Sequence, residues 1–188
     1  GYKALNNNTT GVANTANGGD TLRYNTTGSD NAANGAGALY YNTTGSDNAA
    51  NGEEALYFNT TGSNNTASGY NALYNNTSAT NTVAIGYQSA LGSGAYYNQG
   101  ITAIGYQSGH NFTTGSNYNT LLGYQTGYDI TAGTNNLILG SGATTGGVTT
   151  GSNNILLGTN VTSGLSQTGS NQLNIGNLLF GTGLGNGS

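Results

Sequence analysis

Eleven glycines stand at nearly constant intervals along this chain: Gly1, Gly18, Gly35, Gly52, Gly69, Gly86, Gly105, Gly123, Gly140, Gly158 and Gly176. The first five steps are 17 residues each, and the later ones are 19, 18, 17, 18 and 18. One residue type held at a fixed period is the signature of stacked structural units, each able to bury its inner face only against its neighbours. That ladder narrows the choice of fold more than any other feature.

The columns beside the glycines say what each unit is made of. Four residues after the glycine comes Leu5, Leu22, Leu39, Leu56 or Leu73, and then an Asn-Thr-Thr or Asn-Thr-Ser step begins at Asn8, Asn25, Asn42, Asn59 or Asn76. A second glycine ladder closes the segment at Gly11, Gly28, Gly45 and Gly62. Helix is opposed by the β-branched threonines, the glycine density and the missing 3.6-residue apolar period. Two short β-prone pieces per unit, joined by Gly/Asn corners that accept positive φ, fit instead. Seventeen residues at about 3.3 Å each trace a flattened coil of roughly 55 Å, and coils about 4.8 Å apart stack into a rod roughly 50 Å long. The expected fold is therefore all-β: a parallel β-solenoid or β-roll of about eleven coils of 17–19 residues.

Leu, Ile, Val and Phe together make up only about 16% of the 188 residues, a level usually seen in disordered chains. Disorder, however, also needs strong net charge, and here it is −4. A stack of coils resolves the conflict, because its backbone is paired from rung to rung without a large core.

The repeat forms one domain over residues 1–176, with regular 17-residue coils over 1–84. Over 85–176 the coils are more apolar and carry longer loops, as at 91–100 and 142–151. In the first zone the residue before the primary glycine is Asn17, Asn34, Asn51 or Ser68; from Gly86 onward it is Ile85, Ile104, Leu122, Leu139, Leu157 or Ile175. Two residues earlier stand Val83, Thr102, Thr120, Leu137, Ile155 and Leu173. Residues two apart on a strand share a face, so an oily core and more conventional packing are expected in the C-terminal half. Residues 177–188 break the pattern and read as a cap, a subunit contact or a linker.

Segments such as Asn81–Ala90 (NTVAIGYQSA), Thr102–Gly109 (TAIGYQSG) and Asn64–Thr77 resemble the head repeats of trimeric autotransporter adhesins. Similar repeats occur in phage tail-fibre and bacterial surface fibre proteins. The best matches are Val83-Ala84-Ile85-Gly86 and Ile104-Gly105, with looser ones at Leu122-Gly123, Leu139-Gly140, Leu157-Gly158 and Ile175-Gly176. The resemblance implies a left-handed parallel β-roll, three chains side by side, and contact with host or matrix surfaces.

The chemistry-bearing residues are few. Lys3 and Arg23 are the only basic side chains, so no stripe exists to neutralise phosphates, and nucleic acid is not an expected partner. No run of about 20 apolar residues is present to insert in a membrane. No charged segment with an apolar stretch stands at Gly1, so an export signal, if used, is expected to have been removed. His110, the single histidine, has no cysteine and no nearby carboxylate, and reads as a loop residue. Asp30, Asp47 and Asn64 share one column that could in principle hold a hard cation, but like charges a rung apart repel, so solvated corners are expected. Glu53-Glu54 reads as a solubilising pair. No cofactor, metal or catalytic residue is expected; the competing class, a solenoid glycosidase, needs paired carboxylates across a cleft, and only Asp129 lies in the C-terminal half.

Tyrosines form two columns: Tyr70, Tyr87, Tyr106 and Tyr124 after the primary glycine, and Tyr40, Tyr57 and Tyr74 after the leucine. They read first as a stacked ladder that stiffens the rod, and second as a platform for sugar rings. Asn8, Asn25, Asn42, Asn59, Asn76 and Asn160 open Asn-X-Ser/Thr sequons and are candidate glycosylation sites, with a further sequon at Asn111. An ice-binding threonine array is not expected, because adjacent threonines on a strand face opposite sides. Together these features point to a non-enzymatic extracellular fibre protein at a cell surface or on a virion. Its expected partners are itself, as a homotrimer or an end-to-end filament, and surface glycans or extracellular matrix. A phage receptor-binding or glycan-depolymerising domain is the alternative.

Overall fold

The computed structural model of the chain describes residues 1–142, 148–161, 166–177 and 179–181. It is an all-β parallel solenoid. Each turn contributes one three-residue strand: β1 (Thr15–Asn17), β2 (Ala32–Asn34), β3 (Ala49–Asn51), β4 (Thr66–Ser68), β5 (Val83–Ile85), β6 (Thr102–Ile104), β7 (Thr120–Leu122), β8 (Leu137–Leu139), β9 (Ile155–Leu157) and β10 (Leu173–Ile175). These pair in sequence order and in parallel, each residue beside its counterpart one coil on, as Ala33 beside Ala50. Ten such strands enclose nine full returns of the chain, two fewer than the count of glycines implied. The expectation of two β pieces per coil is also corrected, since the rest of each coil is turns and bends. Those turns are still bonded to the next coil, for example Leu39 N to Ala55 O at 2.9 Å and Tyr41 N to Tyr57 O at 3.1 Å. After β10 the chain reverses, and β11 (Leu179–Gly181) pairs antiparallel against it. That covers the last parallel rung; residues 182–188, the remainder of the expected cap or linker, lie outside the described residues.

Close approach between coils accounts for the glycine ladder. At Gly52 the φ is +141°, and a Cβ built there would sit 2.5 Å from the carbonyl oxygen of Gly69 in the next coil. The leucine column has a conformation that the sequence did not advertise: Leu22, Leu39, Leu56 and Leu73 have φ of 51–55°. A left-handed leucine costs roughly 1–2 kcal/mol, and the cost is offset because this turn drives the side chain into the coil, where all four are fully buried.

The interior changes composition along the rod while staying filled. In the N-terminal coils it holds the leucine column, the middle strand residue (Ala33, Ala50, Ala67) and the sequon asparagine (Asn25, Asn42, Asn59), all buried. Further on, the leucine position becomes Ala90, Gly109 and Gly127. The strand middle becomes Leu121, Ile138 and Leu156, and the asparagine position becomes Phe112, Ile130 and Val148, again all buried. The exchange is steric. A Cβ at Gly109 would lie 2.5 Å from the Phe112 ring, and one at Gly127 would lie 2.8 Å from Leu121. Large residues moved from one wall of the coil to another.

This exchange corrects the expected position of the apolar stripe. Ile85, Ile104, Leu122, Leu139, Leu157 and Ile175 do not line the core. The inward residue of each strand is the middle one, so both flanking positions point outward. Ile85, Ile104, Leu122, Leu137, Ile155 and Ile175 are 36–40% exposed. Ile85, Ile104, Leu122, Leu139, Leu157 and Ile175 follow one another in register from β5 to β10, with Leu139 and Leu157 half-buried and the exposed Leu137 and Ile155 in the neighbouring column, and form an apolar ridge on the outer face of the sheet.

Amide ladders hold the polar coils together. Asn25, Asn42 and Asn59 each donate from Nδ2 to the Oδ1 of the asparagine one coil earlier, at 2.7–2.8 Å. A second ladder runs through Asn14, Asn31, Asn48 and Asn65 at 2.9–3.1 Å and resumes through Asn119, Asn136 and Asn154 at 3.0 Å. Both ladders break over the same coils. Asn59 Oδ1 and Asn76 Nδ2 are buried without partners, and Thr82 and Asn98 interrupt the second series.

Candidate binding surfaces

The break in the amide ladders coincides with the 19-residue step and its longer loop. Tyr96 there bridges to Asn76 in place of another Asn-Thr-Thr corner. It is buried, its hydroxyl donates to Ala90 O, and burial pushes its pKa far above the ordinary tyrosine value. Because the bulky loop swings out at this point, the surface opens into a cleft of about 450 Å³ lined by Ser78, Thr80, Tyr97, Asn98, Gln99, Thr114, Gly115 and Asn117. No charged side chain is among them. The sequence singled out the irregular loop 91–100, which holds Tyr97, Asn98 and Gln99, but not the residues of the neighbouring coils that complete the cleft.

The tyrosine columns are stacks, as expected of a stiffening ladder. Tyr70, Tyr87, Tyr106 and Tyr124 lie 5.2–5.3 Å apart with interplanar angles of 8–13°. Tyr40, Tyr57 and Tyr74 do the same at 4.9 and 5.2 Å. Tyr24, Tyr41 and Phe58 form a parallel column beside them, at 5.4 Å. Gln88, Gln107 and Gln125 add an amide ladder at 2.9 Å. Between successive rings of each stack the faces are turned on one another, so no gap is left between them for a sugar ring. Burial among these rings raises the pKa of Tyr57 to about 12, with neighbouring tyrosines and Glu54 adding to the effect, and raises that of Tyr74 for the same first reason.

A second hollow, of about 200 Å³, lies where Gly37 separates Asp20 from Glu54 in one column. Gly37 has no side chain to fill the intervening rung. Glu53, Tyr40 and Tyr57 complete the walls, and Arg23 spans it by pairing with Asp20 (3.2 Å) and donating to the Tyr40 hydroxyl (3.0 Å). This grouping of carboxylates was not read from the sequence, because it needs the two-coil alignment of Asp20 with Glu54.

Asp30, Asp47 and Asn64 occupy left-handed corner positions with φ of 58–61°, a conformation that Asn and Asp accept more readily than other side chains. Among the described residues no three or more His, Asp, Glu or Cys side chains gather as metal ligands. His110 stacks on Tyr128 at 4.7 Å and its Nδ1 lies 2.9 Å from Asn111 Oδ1.

The sequons divide by burial. Asn25, Asn42, Asn59 and Asn76 are buried, and the folded coil withholds from modification the amide nitrogens a glycan would need. Asn8 is half-buried and donates to Gly11 O at 2.8 Å, and Asn111 is half-buried. Asn160 is exposed.

Compared with protein-family models, with curated proteins and with solved structures, the chain has no match.

Proposed function

We propose that this chain is a non-enzymatic structural and adhesive segment of an extracellular fibre, and that it self-associates as a homotrimer. One observation carries the reading: the in-register apolar ridge from Ile85 to Ile175 on the outside of the rod. Contiguous apolar surface of this kind is uncommon on a monomer and marks an association site. Its repetition at each rung makes it complementary to a copy of itself aligned alongside, with no charged residue within the ridge. A second copy fits better than an unrelated partner for that reason. The resemblance of Val83–Gly86 and its counterparts to adhesin head repeats points the same way. The non-enzymatic part rests on carboxylate placement: Asp30 and Asp47 serve as corners, and Asp20 is engaged by Arg23.

The test is light scattering coupled to size exclusion. The reading expects three times the chain mass of 18.8 kDa, falling to a single chain in Ile104→Asp with the far-ultraviolet spectrum unchanged. A wild-type monomer at all concentrations sinks it, as does an Ile104→Asp variant that keeps its mass.

A further inference from the structure

We propose that the cleft beside Tyr97 is a binding site for neutral saccharides. It supplies the adhesive contact of the fibre, and so rests on that reading for its biological setting, though not for its chemistry.

The cleft is built rather than accidental. Asn98, only 2% exposed, forms its floor. Its Nδ2 donates to Thr113 O at 3.0 Å, and its Oδ1 accepts from Gly115 N at 2.9 Å and Ser116 N at 3.1 Å. The Asn117 Oδ1 accepts from Gln99 N at 2.9 Å, and Gly100 N donates to Thr80 O at 3.0 Å. Three successive coils are tied together around one hollow, so little ordering remains to be done when a ligand enters. Its volume, about 450 Å³, falls within the usual range for small-ligand pockets.

The lining matches a sugar and little else. Hydroxyls of Ser78, Thr80 and Thr114 and the Gln99 amide make no hydrogen bond among the described residues, and both donate and accept, as sugar hydroxyls do; the Asn117 Nδ2, a donor, has no partner there either. Tyr97 is 60% exposed and, unlike the ladder tyrosines, pairs with no other ring among the described residues. Its face is open to the apolar C–H side of a pyranose, with a hydroxyl at its rim. The absence of any cation from the walls gives no partner for sialate, sulfate or phosphate.

The experiment is calorimetric titration of the full chain with maltohexaose, cellohexaose, mannohexaose and 3′-sialyllactose. Saturable binding of at least one neutral oligosaccharide is expected, weakened about tenfold or more in Tyr97→Ala. Tyr97→Phe keeps the ring and should retain binding, and Tyr106→Ala, in the closed stack, should bind like the wild type. The same titration on Ile104→Asp separates this proposal from the assembly reading, since the cleft lies within one chain and should bind whether or not the ridge is paired. Failure of every neutral probe up to about 10 mM overturns the proposal. So does binding undiminished in Tyr97→Ala, or binding of the sialylated probe alone.

Discussion

Replacing Asn42 by Ala probes the amide ladder where it is complete. The Asn42 Nδ2 donates to Asn25 Oδ1 (2.7 Å) and Gly45 O (2.9 Å), and its Oδ1 accepts from Asn59 Nδ2 (2.8 Å). Truncation removes all three bonds. Gly45 O keeps Asn31 Nδ2 at 2.9 Å, and Asn59 Nδ2 keeps Gly62 O at 3.0 Å. Asn25 Oδ1 is left buried with nothing to accept from. Each lost bond is worth about 1 kcal/mol net, and a buried orphan costs about 1–3 kcal/mol, giving a loss of about 4–6 kcal/mol. Asn76 is the internal control: it belongs to the same column and is equally buried, yet its Nδ2 is already unpaired, and its Oδ1 accepts from Ser78 N at 3.2 Å. Asn76→Ala should cost about 1 kcal/mol. Urea unfolding followed by circular dichroism measures both. On heating, the Asn42 variant should melt about 10 °C below the wild type. Equal costs for the two variants would refute the argument that the ladder, rather than burial of an amide as such, stabilises these coils.

Gly52→Ala should destabilise by about 2–4 kcal/mol, from left-handed strain plus collision with Gly69 O. Gly19→Ala, where an added Cβ meets nothing within 4 Å, should be neutral or slightly stabilising in the same urea assay. Raising the pH should leave stability level to about pH 10 and lower it from there to about pH 12. The unfolded chain releases its phenol protons near 10, whereas folded Tyr57 holds its own to about 12, so protonation favours the folded state only until the phenols ionise. Urea midpoints at pH 9, 10.5 and 11.5 check the sign, and a midpoint that rose across that window would contradict it. Ile104→Asp should release single chains in light scattering, as described above.

The glycine period alone determined that the chain stacks in coils, that strands pair in parallel one period apart, and that tyrosines at Tyr70, Tyr87, Tyr106 and Tyr124 stack. Translation by one coil superposes equivalent residues, so those neighbours follow from spacing. Which side of each short strand faces inward did not follow. Alternation distinguishes two faces of Val83-Ala84-Ile85 without naming the inner one, and hydrophobicity favoured the wrong pair. The choice was made by volume: the Leu39, Leu56 and Leu73 side chains already fill the N-terminal coils, so only alanine fits opposite them. Where Gly109 and Gly127 replace that column, Leu121 and Ile138 grow into the space, and the strand keeps the same side turned inward. The buried sequon asparagines and the cleft beside Tyr97 likewise needed the closed coil, because both depend on what packs across it and not on what repeats along it.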